Sequence, residues 1–199
     1  GENAERRGQY LSLASALLVE HLAGLVAEWA PEQSDNYRAS FLALPPSEAI
    51  QKVLTGMGVL SKAELAGERM FTAYDNQDQE DEHSCFSDNT HRDIITNFQG
   101  IRNVYLGSYT RLDGSTLSGT GLDAVVQAVD AELATQMRQQ LDTALTQTNA
   151  IAVPFDRAIV GADTRPQVLD TVYTLQDIGD STASIGTALG LTINTALPE

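Results

Sequence analysis

The spacing of apolar residues near the start of the chain constrains the fold most strongly. Over residues 5–29 they recur every three or four positions, as side chains on one face of an α-helix do. The stripe consists of Tyr10, Leu11, Ala14, Leu17, Leu18, His21, Leu22, Leu25, Val26 and Trp29. Pro31 then ends the element, because proline cannot donate the hydrogen bond that a helix interior requires. The pattern predicts a long amphipathic helix.

The same spacing predicts further helices along the rest of the chain. They cover about 36–44, 47–55, 88–107, 122–129, 130–151 and 166–193, and one more starts at Ser61. Ser61 and Glu64 have the spacing of a capping box, which marks a helix start. Residues 108–121 are dense in turn formers and predict a loop. The sequence therefore predicts an all-α fold, an antiparallel helical bundle of about six or seven helices that forms one domain over residues 1–199.

The charge balance excludes some classes of protein. The 199 residues include 27 acidic and 12 basic side chains, which give a formal net charge of −15. A sequence-independent nucleic-acid binder needs basic side chains to neutralise phosphates, so no nucleic acid is expected as a partner. No run approaches the ~18–20 apolar residues of a membrane span, so no transmembrane segment is expected. A single cysteine excludes an internal disulfide.

Residues 75–93 concentrate side chains that bind cations or carry protons. They hold seven of the 27 carboxylates, two of the three histidines and the only cysteine. Like charges this close repel one another, and only solvation, a cation or protonation relieves the repulsion. The histidines add nitrogen ligands and proton carriers that work near neutral pH. The sequence therefore predicts the functional site in this acidic stretch.

Two arrangements of these side chains are compatible with the spacing. If residues 80–91 are helical, Asp88 and His91 lie on one face, where a carboxylate and an imidazole can chelate zinc or iron. The alternative is a solvated acidic turn in which Asp88 caps the next helix. Glu64, Glu68 and Arg69 form a second group on the preceding helix, in which Arg69 can pair with Glu68 or with the acidic stretch and hold carboxylates in place. The alternative there is an exposed ion pair that contributes little to stability.

Four blocks of the chain, taken in order, resemble a known family. They are residues 54–70, 77–93, 97–107 and 154–156. Together they are similar to the imelysin family of bacterial cell-envelope proteins, and the run from His83 to Asp93 follows the family-like pattern without a gap. The resemblance implies an all-helical fold with two bundle-like halves and a site at their interface. It also implies a classification with metallopeptidases, an association with bacterial iron uptake, and a place in the periplasm or outer cell envelope.

The family's named motif, Gly-x-His-x-x-Glu, is absent from this chain. Around His21, the positions of the glycine and the glutamate hold Val19 and Gly24. In the family the motif lies in the N-terminal half, so this chain resembles the C-terminal half of such a protein. We therefore expect its partner to be the N-terminal half of the same protein or a second chain.

The resemblance and the acidic stretch together provide the candidate site residues. The predicted ligand-binding residues are Glu68, Arg69, Ser87, Asn89 and Asp93, and the predicted metal ligands are His83, Asp88 and His91. The cofactor is left open, with iron and zinc as candidates because carboxylate and imidazole ligands suit both.

Three functions are compatible with these residues. The first is a module that binds a metal ion or an iron-containing ligand at a helical interface, without turnover. The second is half of a zinc peptidase whose histidine and glutamate lie in the N-terminal half. The third is a helical interaction domain that the acidic stretch only solubilises. Binding is expected rather than catalysis, since a metallopeptidase needs at least three ligands and a positioned base.

Overall fold

Helix dominates the chain, as the spacing of its apolar residues predicts. The computed structural model describes residues 2–197, and their contacts form two compact units, residues 2–49 and residues 50–197. The helices are α1 (Ala4–Glu28), α2 (Tyr37–Leu42), α3 (Pro46–Gly58), a π-helix (Val59–Phe71), α4 (Thr72–Asn76), α5 (Thr90–Leu106), α6 (Leu122–Val129), α7 (Ala131–Ala150), α8 (Phe155–Val160) and α9 (Arg165–Ala188). A 3₁₀ turn (Gln79–Asp81) and a hairpin of β1 (Ser108–Thr110) and β2 (Thr116–Ser118) lie between them. The predicted all-α class is confirmed, whereas a single bundle over residues 1–199 stays a prediction.

One asparagine organises the first unit. Asn36 is the N-cap of α2, and its Oδ1 accepts a hydrogen bond from the backbone N–H of Ala39 at 3.0 Å. Its Nδ2 donates to the carbonyl oxygens of Ala27 and Ala30 at 3.0 and 2.8 Å. The side chain is buried, and these bonds satisfy its amide. Asn36 therefore ties the end of α1 to the start of α2.

None of the residues of α1 is buried within the described part of the chain. Its apolar stripe is exposed, and so is His21. By length and composition alone, α1 is also apolar enough to cross a membrane. Glu20 and His21 interrupt the apolar run of this helix, so a search for an unbroken apolar segment does not find it. Signal sequences and the core helices of soluble proteins can have the same length and apolar composition, so the absence of a transmembrane segment stays a prediction.

α3, the π-helix and α4 form one uninterrupted helix, because the residues at both junctions keep right-handed helical backbone angles. The prediction that a new helix starts at Ser61 is therefore wrong. Ser61 is buried, and its hydroxyl donates to the carbonyl oxygen of Leu175 at 2.6 Å, so it contacts α9 instead of capping a helix. With this long helix counted once, residues 2–197 contain eight separate α-helical segments, slightly more than the number predicted.

The second unit contains the main hydrophobic core. Its largest fully buried side chains are Tyr105, Phe98, Phe155, Leu54, Leu65, Met70, Ile94, Ile101, Met137, Leu141, Ile159 and Leu175. The π-helix packs closely against α9 at Gly179. A Cβ atom on Gly179 would lie 2.5 Å from Cβ of Lys62 and 3.1 Å from the carbonyl oxygen of Gly58. Glycine is therefore required at this position if the two helices are to stay in contact.

The predicted loop at 108–121 contains the antiparallel pair β1 and β2. Gly114 turns the chain between the two strands in a left-handed conformation that favours glycine, with φ of 82°. The helices predicted over 122–129 and 130–151 are confirmed as α6 and α7. The turn-forming residues thus predict where the chain reverses, but they do not predict the two short strands on either side of the turn.

Candidate functional site

The acidic stretch, residues 75–93, is a loop for most of its length. Gln77 ends α4 in a left-handed conformation, and one 3₁₀ turn follows before α5 begins at Thr90. Residues 80–91 are therefore not an α-helix, and the helical face considered for them does not form. Four of the five residues over 78–82 are acidic, and such a run is destabilising in a helix.

A cavity of about 160 Å³ lies where this loop meets the π-helix and α5. It is lined by Leu60, Glu64, Leu65, Arg69, His83 and Asn97. The π-helix supplies the first four of these side chains, the loop supplies the histidine, and α5 supplies the asparagine. Two predicted site residues, Arg69 and His83, are therefore brought together. Glu64 and Asn97 complete the polar lining. Glu64 was grouped with Glu68 and Arg69 from the sequence but not selected as a site residue, and nothing in the sequence singled out Asn97.

The π-helix decides which of its side chains reach the cavity. Leu60 and Arg69 are nine residues apart, about two and a half turns of an α-helix, which would place them on opposite faces. A π-helix has i→i+5 hydrogen bonds and about 4.4 residues per turn, so nine residues make about two full turns. Leu60 and Arg69 therefore share a face. Thirteen residues of π-helix are a rare feature, and π-helical segments occur often at functional sites.

Arg69 is the cation of this cavity. Its Nη2 lies 3.6 Å from Oε2 of Glu64 and 4.0 Å from Oε2 of Glu68. All three side chains are partly exposed, so water screens both pairs and they contribute little to stability. Glu68, the partner predicted from sequence, neighbours Arg69 but does not line the cavity.

Asp93 connects the acidic loop to the first turns of α5. Its carboxylate accepts hydrogen bonds from the Ser84 hydroxyl and, at 3.5 Å, from Nδ2 of Asn89. Its backbone carbonyl accepts a hydrogen bond from Nδ2 of Asn97 at 2.9 Å. The predicted site residues Asp93 and Asn89 thus lie together. Asp93 thereby contacts Asn97 in the cavity wall, and neither Asp93 nor Asn89 lines the cavity itself.

Asp88 and Ser87 lie on the outer side of the loop. Both are exposed, and Asp88 has a left-handed φ of 50°. The Asp88 carboxylate accepts a hydrogen bond from Nε2 of Gln79 at 2.9 Å, and the Ser87 hydroxyl donates to the carbonyl oxygen of Ser84 at 3.4 Å. Neither residue caps α5, whose N-cap is Asn89 without a side-chain hydrogen bond. The cap predicted for Asp88 is therefore wrong.

The three predicted metal ligands are not assembled into one set. His83 lines the cavity, Asp88 is on the outer loop, and His91 is half-buried with an Nδ1 that finds no partner among the described residues. Over residues 2–197, no group of three or more histidine, cysteine, aspartate and glutamate side chains is placed to hold a metal ion. A complete site for an ion would need donors from elsewhere.

Glu82 is a buried carboxylate that the sequence analysis did not single out. It is 7% exposed, and its Oε1 has no hydrogen-bond partner in the described part of the chain. Burial raises its pKa above the usual 4.5, and the carboxylates of Asp156 and Asp88 raise this pKa further, against an opposing hydrogen bond from Thr90. Asp156 also has a buried oxygen without a partner among these residues. The loop and α8 therefore bring together two carboxylates that each have one buried oxygen without a partner among the described residues.

Comparisons with known proteins agree with the sequence blocks described above. The sequence model of the family described as imelysin, peptidase M75, matches residues 1–183. One curated relative, iron-regulated protein A of Synechococcus elongatus, is 26% identical over 182 residues. This match covers 87% of the chain and 50% of the relative, so the chain spans about half of the relative's length. Since the family match extends over most of the sequence, the chain belongs to the imelysin family.

Proposed function

We propose that the chain is half of an imelysin-like protein of the bacterial periplasm or outer cell envelope, with a role in iron uptake. Within that role, its cavity binds a metal ion or an iron-containing ligand. The family assignment supports this proposal, as does a relative whose name describes it as iron-regulated. The observation that carries it is the π-helix, which turns Glu64 and Arg69 toward the same cavity as His83.

The polar atoms of the cavity suit a transition metal that arrives with ligands of its own. Glu64 and His83 offer a carboxylate and an imidazole, which are ligands for iron and zinc. Two protein ligands are too few for a closed site, so the remaining donors would come from a chelating compound or from a partner segment. Asn97 adds an amide oxygen, since its Nδ2 is already bonded to the backbone of Asp93. An iron-containing ligand therefore fits this cavity better than a bare ion.

Arg69 would determine which compounds are accepted. Its guanidinium can bind a carboxylate through two parallel hydrogen bonds, and many iron-chelating compounds carry carboxylates. Its present contacts to Glu64 and Glu68 are long, at 3.6 and 4.0 Å, so an incoming carboxylate competes with weak pairs. The same guanidinium reduces the repulsion that two neighbouring carboxylates would exert on an anionic chelate.

The exposed apolar residues of α1 support a partner for this chain. Nine large apolar side chains of this helix are exposed: Tyr10, Leu11, Leu13, Leu17, Leu18, Val19, Leu22, Leu25 and Val26. A helix that is apolar over so much of its surface normally packs against other helices. We infer that the N-terminal half of the same protein, or a second chain, covers it. A membrane is the less favoured partner, because Glu20 would be costly in a bilayer and the family match includes α1.

Isothermal titration calorimetry with ferrous ion, ferric citrate and zinc tests the binding proposal. Replacing His83 with alanine or Glu64 with glutamine should weaken binding of the preferred compound at least about tenfold, because each removes one of two protein ligands. Glu80→Gln removes an exposed carboxylate of the same loop and should leave the affinity unchanged. If His83→Ala and the wild type bind the compound with equal affinity, this cavity is not its binding site. Absence of heat with all three compounds would favour the interaction domain.

A zinc peptidase remains the second candidate, because the matching family is described as a peptidase family. In that case this chain would position the substrate, and the other half would supply the histidine and glutamate. The test is hydrolysis of a protein substrate by the whole protein, with and without a metal chelator. Chelator-sensitive hydrolysis that Arg69→Gln slows would support the peptidase, whereas an inactive whole protein would remove it.

A further inference from the structure

Another cavity lies between α5 and α7, with a volume of about 210 Å³. It is lined by Arg102, Leu106, Arg138, Leu141 and Asp142. It shares no lining residue with the cavity of Glu64 and His83. The chain has only 12 basic side chains against 27 acidic ones, yet two arginines face this one space. One aspartate, Asp142, is in the lining, and a second, Asp123, forms an ion pair with Arg138.

Arg138 is held in a fixed orientation. Its Nε donates to Oδ1 of Asp123 at 2.8 Å, and its Nη2 donates to Oε1 of Gln127 at 2.7 Å. Both acceptors belong to α6, so this helix positions the guanidinium at the cavity. Neither of these hydrogen bonds uses Nη1, so this nitrogen can donate to a ligand. A donor that is oriented before a ligand arrives loses little conformational entropy on binding.

Arg102 has almost all of its hydrogen-bonding capacity left. Its nearest carboxylate is Asp142, and Nη2 lies 3.7 Å from Oδ1 of that residue, too far for a hydrogen bond. Its Nε is buried and has no partner among residues 2–197. A guanidinium has five N–H donors, and an unpaired buried donor is unfavourable until an acceptor reaches it. The Asp142 side chain is 73% exposed, so it can move aside at little cost.

We propose that this cavity binds a small oxyanion, a carboxylate or a phosphate, between Arg102 and Arg138. The planar guanidinium matches two oxygens of such an anion, and charge-assisted hydrogen bonds of this kind are stronger than neutral ones. Leu106 and Leu141 provide an apolar wall for the carbon skeleton of an organic acid. The overall negative charge acts mainly at long range and is screened beyond about 8 Å at physiological ionic strength. This proposal does not depend on the metal or iron-containing ligand discussed above.

Calorimetric titration of the whole chain with inorganic phosphate and with citrate, both free of metal, tests the proposal. At physiological ionic strength, where the overall negative charge is screened, we expect saturable binding of at least one of the two. The anion that binds more tightly shows whether the cavity recognises phosphate or carboxylate. Arg102→Gln should weaken this binding at least about tenfold, because it removes a charge-assisted contact. Asp142→Asn should strengthen it, because it removes the carboxylate that competes for Arg102.

Arg111 provides the matched control, since it lies in the exposed hairpin away from the cavity. Arg111→Gln should bind the anion as the wild type does. Equal weakening by Arg111→Gln and Arg102→Gln would mean unspecific attraction and would overturn the proposal, as would no saturable heat with either anion. If Arg102→Gln lowers the melting temperature, Arg102→Lys replaces it. That variant keeps the charge and the aliphatic stem but loses the planar fork, so it too should bind more weakly, and wild-type affinity would refute the assignment.

Discussion

Replacement of Glu82 with glutamine should stabilise the protein at neutral pH. The carboxylate is 7% exposed, and Asp156 and Asp88 both repel its charged form. No basic side chain is among the groups that shift its pKa. Glutamine has nearly the same shape and no charge, so it fills the same space without the unfavourable burial of an anion. The effect therefore depends on pH in a way that identifies its cause.

The sign follows from the raised pKa. The folded protein holds the proton of Glu82 more tightly than the unfolded chain does, whose carboxyl titrates near 4.5. Below that pH both states are protonated, and the stabilisation by the proton is complete. It is lost as the pH rises to the folded-state pKa, at about 1.4 kcal/mol for each pH unit between the two pKa values. The total for a buried carboxylate with one unsatisfied oxygen is on the order of 1–3 kcal/mol.

Thermal unfolding of Glu82→Gln and the wild type from pH 4 to pH 8 measures this effect. For a domain of this size, each kcal/mol corresponds to roughly 2–4 °C in melting temperature. The variant should match the wild type near pH 4 and melt several degrees higher at pH 8. Glu80→Gln, an exposed change two residues away, should show no such pH-dependent difference. A constant offset at all pH values, or a less stable variant at pH 8, would refute the argument.

Three further predictions concern packing, ionisation and capping. Gly179→Ala should destabilise the protein by about 1–3 kcal/mol in urea unfolding, because its Cβ would meet Lys62, whereas Gly56→Ala, with open space around it, should not. Tyr105 should titrate at about 12, since burial and a nearby carboxylate raise its pKa; ultraviolet titration that shows a full set of tyrosines near pH 10 would contradict this. Asn36→Ala should cost about 1–2 kcal/mol and speed amide exchange in α2. Asn36→Asp should cost at least as much at neutral pH, although it keeps the cap, because it turns a buried carboxylate oxygen toward the carbonyl oxygens of Ala27 and Ala30.

The long helices were predictable because their apolar residues repeat with the helical period. α1, α6 and α7 lie within a residue or two of their predicted bounds. The helix start predicted at Ser61 was wrong because a capping box is only a local pattern, and here the serine contacts α9. For the site, the sequence located the acidic loop and selected Arg69 and His83. It grouped Glu64 with Glu68 and Arg69 but did not select it, because face assignments at 3.6 residues per turn do not hold in the π-helix. Asn97 lies on α5 and reaches the cavity only through the packing of that helix.

The sequence by itself determined the helical class, the family, the negative charge and the segment in which the acids gather. These properties depend on composition, on local periodicity and on ordered blocks of residues, all of which are visible in the linear sequence. Only the tertiary structure decided that Glu82 is the buried carboxylate of the acidic stretch and that Arg102 and Arg138 line one cavity. Both outcomes depend on contacts between segments far apart in the chain, namely the loop with α8 and α5 with α7. No local pattern encodes such contacts, because burial is a property of the packed core.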